Sequence, residues 1–142
     1  YASISKAIEL NKENPDFWYT ASEIEEHLGY IDDSIVSMKK AVELDETDLS
    51  LSLDYLLLLE RHLNPSIVEE ALTDIIGKFS NSPALLYFQT AFLLKQGKYQ
   101  QGYQCFEQAL NMDYESHEKI FSYYPKAKDN QNLLELIDLY RD

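Results

Sequence analysis

Cysteine occurs once in this chain, at Cys105. No internal disulfide can form, and a lone thiol fits a reducing compartment; the sequence reads as cytoplasmic, with Cys105 a packed helix residue. Basic side chains are scarce, 12 Lys and Arg against 25 Asp and Glu, for a formal charge of −13. A surface of that sign repels phosphate backbones, which excludes nucleic acid as a partner. The Leu56 to Leu59 run and every other apolar run stay within five residues, far short of the roughly 20 that cross a bilayer. The four glycines, Gly29, Gly77, Gly97 and Gly102, are isolated, so no phosphate-cradling loop is present. His27, His62 and His117 never pair at the i, i+4 spacing of a helical metal site and read as solvated groups. Neither metal nor cofactor is expected. Paired acids such as Glu25-Glu26 and Asp32-Asp33 read as a solvated face, Cys105 has no acid or base partner close in sequence, and the chain does not read as an enzyme.

What is present is apolar residues in a repeating order. They make up 45% of 142 residues, enough to offset the conformational entropy of a folded domain. Lys40-Ala41-Val42-Glu43-Leu44-Asp45 recurs as Lys6-Ala7-Ile8-Glu9-Leu10-Asn11 and as Gln108-Ala109-Leu110-Asn111-Met112-Asp113, at offsets of 34 and 68 residues. At that period Ile4, Met38, Leu72, Phe106 and Tyr140 share one apolar column, and Ile8, Val42, Ile76 and Leu110 share another. Asn14, Asp48, Ser82 and Ser116 fall in a column of helix-capping residue types. Pro15 and Pro83 follow two of these at the first helical position, where a missing N–H costs nothing. Gly29 and Gly97 then mark where a helix ends in a left-handed turn. The unit is helix, tight turn, helix, cap. Helices are expected near 2–13, 15–28, 31–45, 48–62, 65–79, 83–96, 99–112, 116–124 and 130–141, the last-but-one stopping near Tyr124 because Pro125 follows. The middle helix, Leu49 to Leu63, is Leu-rich on more than one side and belongs at a covered position.

The 34-residue unit resembles the tetratricopeptide repeat, whose pattern runs W-x2-L-G-x2-Y, then A-x3-F, then P. Residues 15–48 supply Trp18, a small Ser22, Gly29, Ser34-x3-Met38 and Ala41; residues 83–116 supply Thr90, Gly97, Tyr99, Gly102-x3-Phe106 and Ala109. The resemblance implies an all-α, right-handed superhelical solenoid of antiparallel helix pairs, about nine helices in all, forming a single domain over 1–142. Within it, 1–14 is the second helix of a truncated repeat, 15–48, 49–82 and 83–116 are repeats, and 117–142 is a degenerate repeat and cap. The array reads as the C-terminal part of a longer one. Residues 49–82 depart from the pattern, with Leu56, Val68 and Ile75 where the neighbouring repeats carry small residues, so helices there are expected to sit further apart.

The resemblance also places Tyr19, Leu53, Tyr87 and Phe121, one column of the first helices, on a concave binding face. Leu57, Ala91 and Leu94 extend it as an apolar groove, and Glu23 and Glu26 give it an acidic end. The Lys, Asn and Arg clamp by which one subgroup of the family grips C-terminal carboxylates is missing. The expected partner is therefore a protein or peptide, neutral or basic and amphipathic, held by a non-catalytic scaffold. The alternatives are a structural module that self-associates or docks intramolecularly through its N-terminal end near Ile4 and Ile8, and a regulatory domain of a larger protein.

Overall fold

The computed structural model describes residues 1–141, all helix and connecting turn. Its α-helices are α1 (Ala2–Leu10), α2 (Pro15–Leu28), α3 (Ile31–Leu44), α4 (Leu49–His62), α5 (Pro65–Lys78), α6 (Pro83–Lys95), α7 (Tyr99–Met112), α8 (Lys119–Tyr123) and α9 (Gln131–Tyr140). Short 3-10 turns, Tyr114–Ser116 and Pro125–Asp129, flank α8. Among the described residues no helix is long and apolar enough to cross a membrane.

The helix boundaries follow from the capping chemistry. Asn14 accepts from the Asp16 amide at 2.9 Å, Asp48 from that of Leu51 at 3.3 Å and Ser82 from that of Leu85 at 3.3 Å, each satisfying an amide that the first turn leaves free. Gly29 and Gly97 take φ of 87° and 78° at the α2 and α6 ends, where a side chain would be strained. The fourth expected cap fails. Ser116 ends a 3-10 turn and donates to Asp113 at 2.7 Å, and the helix that follows, α8, is only five residues long and stops before Pro125. α9 is instead capped by Asn130, outside the 34-residue column, which accepts from the Leu133 amide at 3.1 Å.

The chain divides into two compact units, one from Tyr1 to Ile75 and one beginning at Ile76, so the division falls within α5, in the middle of the expected 49–82 repeat. The units differ in charge: the first holds 17 acids and 5 bases, net −12, and the second 8 and 7, net −1. In the first, α2 packs along α3, and α3 along α4. Ala21, Met38, Ala41 and Val42 fill the space between the helices. Ser22 and Ser34, both small, let α2 and α3 approach closely. α4 and α5 approach far less at the backbone, because buried Leu56, Val68 and Ile75 stand between them. Burial on α4 extends over Leu51, Ser52, Leu53, Leu56, Leu58 and Leu59, more than one stripe.

In the second unit α6 and α7 form the tight pair, with Thr90, Gly102 and Ala109 fully or almost fully buried. The core continues through Tyr87, Ala91, Leu94, Phe106 and Leu110 to Ile120, Ala127, Leu133 and Ile137. α9 thereby covers the end of the α6–α7 pair.

Candidate functional site

The expected binding residues separate into two groups with different fates. In the first unit, Tyr19, Glu23 and Glu26 of α2 and Leu57 of α4 line one pocket of about 200 Å³, together with Asp54 and Arg61. α2 and α4 both pack along α3, which stands between them, and side chains of the two converge on this pocket. Leu53, one turn before Leu57, is buried and does not line the pocket.

Charge in this pocket is partly spent internally. Arg61 grips Glu26 with two parallel bonds, Nε to Oε2 at 2.8 Å and Nη2 to Oε1 at 3.0 Å, while His62 Nε2 lies 2.7 Å from Oε2. The Arg61 guanidinium therefore lowers the Glu26 pKa, with burial opposing and His62 adding to the shift. Glu23 is exposed. The Tyr19 phenol lies beside the Asp54 carboxyl. Burial raises the Asp54 carboxyl above its ordinary range, and Tyr19 and Arg61 offset that only in part. Burial, and next the Asp54 charge, likewise raise the Tyr19 phenol. The pocket thus offers an aromatic and an aliphatic wall, one carboxylate paired with Arg61, one only partly compensated at Asp54 and one exposed at Glu23.

In the second unit the expectation is corrected. Tyr87, Ala91 and Leu94 are 0%, 1% and 2% exposed and belong to the core. Tyr87 sends its hydroxyl to the Asp113 carbonyl at 2.6 Å and meets Phe106 edge-on. Phe121 is half-buried against the same cluster. The physical reason is the make-up of α6, which carries no charged side chain from Pro83 to Leu94; a helix apolar all round is buried all round. Tyr87, Ala91 and Leu94 are therefore not a groove wall.

Reasoning from sequence missed Asp54 and Arg61. The signal was there: Arg61 lies 35 residues after Glu26, one repeat plus one residue, which puts the two at the same end of neighbouring first helices. It also misread Glu25, which is 3% exposed. Its carboxylate accepts from the Tyr1 hydroxyl and from Ser37 Oγ, the latter at 2.6 Å. The bond to Glu25 is the main reason the Tyr1 phenol is pushed up to about 12. Nor are all three histidines solvated: His62 serves Glu26, and His117 lies against the Tyr114 ring with Nδ1 2.7 Å from the Tyr114 carbonyl. Cys105 is buried, its thiol donating to the Leu86 carbonyl and pushed up by burial. Among the described residues no three His, Cys, Asp or Glu side chains gather as a metal site.

The helix pair α2–α3, with its small-residue contact and glycine turn, matches a family model described as "Tetratricopeptide repeat" over residues 15–48. Residues 15–48 are a tetratricopeptide repeat. Beyond that repeat, the chain is similar in fold to a solved structure titled "Crystal structure of MamA", with a TM-score of 0.65, 14% sequence identity, and coverage of 96% of this chain and 82% of that one. MamA is itself a tetratricopeptide-type protein, so the likeness extends the all-α repeat fold over nearly the whole chain. No curated protein matches the sequence. Tetratricopeptide repeats serve generally as protein-interaction scaffolds.

Proposed function

We propose that this chain is a non-catalytic scaffold whose first unit holds a neutral or basic amphipathic segment of a partner protein in the Tyr19–Leu57 pocket. The observation that carries the reading is the convergence of Tyr19, Glu23, Glu26 and Leu57 on one pocket with Asp54. Aromatic and aliphatic walls offer the desolvated contact that dominates binding energy. Glu23 and Asp54 favour a cation at the rim, an effect strengthened by the −12 charge of the unit around them. On the family resemblance this is the concave, first-helix face.

The test is calorimetric titration with a Lys/Leu amphipathic peptide and with its Glu/Leu counterpart of the same pattern. The basic peptide is expected to bind and the acidic one not to. Glu23→Lys should weaken the basic peptide and reduce the salt dependence of its binding, and Leu57→Ala should weaken it at every salt concentration. Equal binding of the two peptides, or indifference to Glu23→Lys, would remove the pocket as the site.

A further inference from the structure

The second unit carries a cavity of a different chemical kind. Residues 79–112 contain only Lys95, Lys98 and Glu107 as charged groups, net +1 in a chain of −13. That stretch and the end of α5, which adds Lys78 to the charged groups nearby, form a groove of about 370 Å³ between the α5–α6 turn, α6 and α7. Its lining is apolar at Ile76, Phe79, Leu85, Leu86 and Met112 and carries the carboxamide residues Gln89, Gln108 and Asn111, with Asn81 at the turn. No charged side chain lines it. The neutral wall extends onto solvent, where the exposed face of α7 presents Gln100, Gln101, Gln104, Gln108 and Asn111. On α3, 68 residues earlier, the equivalent positions hold Asp32, Asp33, Val36, Lys40 and Glu43, three acids and a base among five.

We infer that this groove is a second docking site, distinct from the Tyr19–Leu57 pocket, for an uncharged extended segment of a partner protein that seats one large apolar side chain on Ile76, Phe79 and Leu86. Charge decides the occupant. A cation finds no carboxylate in the groove, and an anion entering it gives up its water for no counter-charge. Size fits as well, since 370 Å³ falls in the range of sites that enclose a small ligand or side chain. The carboxamides decide the backbone conformation. Each offers two N–H donors and a carbonyl acceptor, the complement of a peptide group. Only an extended strand presents unused N–H and C=O groups sideways, because a helix satisfies its own.

The experiment uses isotope-labelled whole chain and three end-capped pentapeptides, Ser-Ser-X-Ser-Ser with X as Leu, Glu or Lys. Magnetic resonance follows the side-chain NH2 signals of Gln89, Gln108 and Asn111. The Leu peptide is expected to shift these signals saturably, with an affinity about tenfold or more above that of either charged peptide, and equally well in low and high salt because no ion pair is made. Gln108→Glu should abolish the shifts, whereas Gln100→Glu, on α7 but outside the groove, should leave them. Equal shifts from all three peptides, no shift from the Leu peptide, or persistence in Gln108→Glu would overturn the site. Shifts of the same signals on raising protein concentration without peptide would overturn it too, by assigning the face to a second copy. Binding at the Tyr19–Leu57 pocket reports through other residues and depends on salt, so either site can fail while the other stands.

Discussion

Ser22 and Ser34 bond each other's backbone across the α2–α3 contact: Ser22 Oγ donates to the Ser34 carbonyl and Ser34 Oγ to the Ser22 carbonyl, each at 2.7 Å. The two hydroxyls lie 2.9 Å apart, and both residues are buried. Each hydroxyl thus satisfies a buried group while occupying little more than the volume of a methyl. Ser34→Ala should remove one such bond and leave a carbonyl less well satisfied, at a cost of about 1–2 kcal/mol. Ser34→Leu should overpack the contact and cost about 1–3 kcal/mol more. Urea melts of the two variants check the order; equal stability would show that the helices separate freely.

Glycine substitutions are expected to act in opposite directions in α5 and α7. A Cβ on Gly102 would lie 2.8 Å from Leu94 Cδ2 and 3.1 Å from its Cγ, and Leu94 is itself buried. Gly102→Ala gains about 1 kcal/mol of helix propensity but overpacks at a cost of about 1–3 kcal/mol, so net destabilisation is expected. A Cβ on Gly77 meets nothing within 4 Å. Gly77→Ala should stabilise by about 0.5–1 kcal/mol. Thermal melts of both variants settle the signs.

Tyr87 is expected to behave as a core residue. Tyr87→Phe forfeits the bond to the Asp113 carbonyl, about 1 kcal/mol. Tyr87→Ala opens a cavity beside Phe106 and Leu133 and should cost about 3–5 kcal/mol. Loss of near-ultraviolet ellipticity and of the melting transition is the readout for the second; a stable Tyr87→Ala would return the residue to the surface.

This residue also marks how far the sequence could be read. Helix order, the caps at Asn14, Asp48 and Ser82, the glycine turns and the wide α4–α5 spacing all follow from local chemistry repeated every 34 residues. The binding column does not, because a column fixes direction relative to the helix axis and not whether another element covers it. Tyr19 and Tyr87 share that column, yet Tyr19 sits among Asp16, Thr20 and Glu23 and stays half-open, whereas Tyr87 sits in an uncharged helix and is covered. Counting charges along α6 would have separated them. The buried Glu25 has no such signal, since its partner Tyr1 lies 24 residues away, off the repeat period.

Acid is expected to act on Glu26 and Asp54 in opposite senses. Arg61 lowers the Glu26 pKa below its ordinary 4.5, so the folded state binds fewer protons than the unfolded chain just below that pH. The stability it contributes is present above 4.5 and is lost as pH falls through the lowered folded value. Its size is small, about 0.2–1 kcal/mol for a pair so open to solvent. Asp54 runs the other way. Its pKa is raised above the ordinary 3.8, chiefly by burial, so the folded state holds its proton longer and stability falls as pH rises from 3.8 through the folded value. Asp54→Asn should therefore be more stable than the parent at neutral pH, with the advantage vanishing as acid protonates Asp54. Glu26→Gln should be slightly less stable at neutral pH, with the deficit vanishing in acid. Denaturant melts of the three proteins from neutral pH down to about 3 give the differences directly. If Asp54→Asn is the less stable protein at neutral pH, the Tyr19 hydroxyl and Arg61 outweigh the burial of Asp54; the carboxylate is then held by its own neighbours and not left free for a partner's cation.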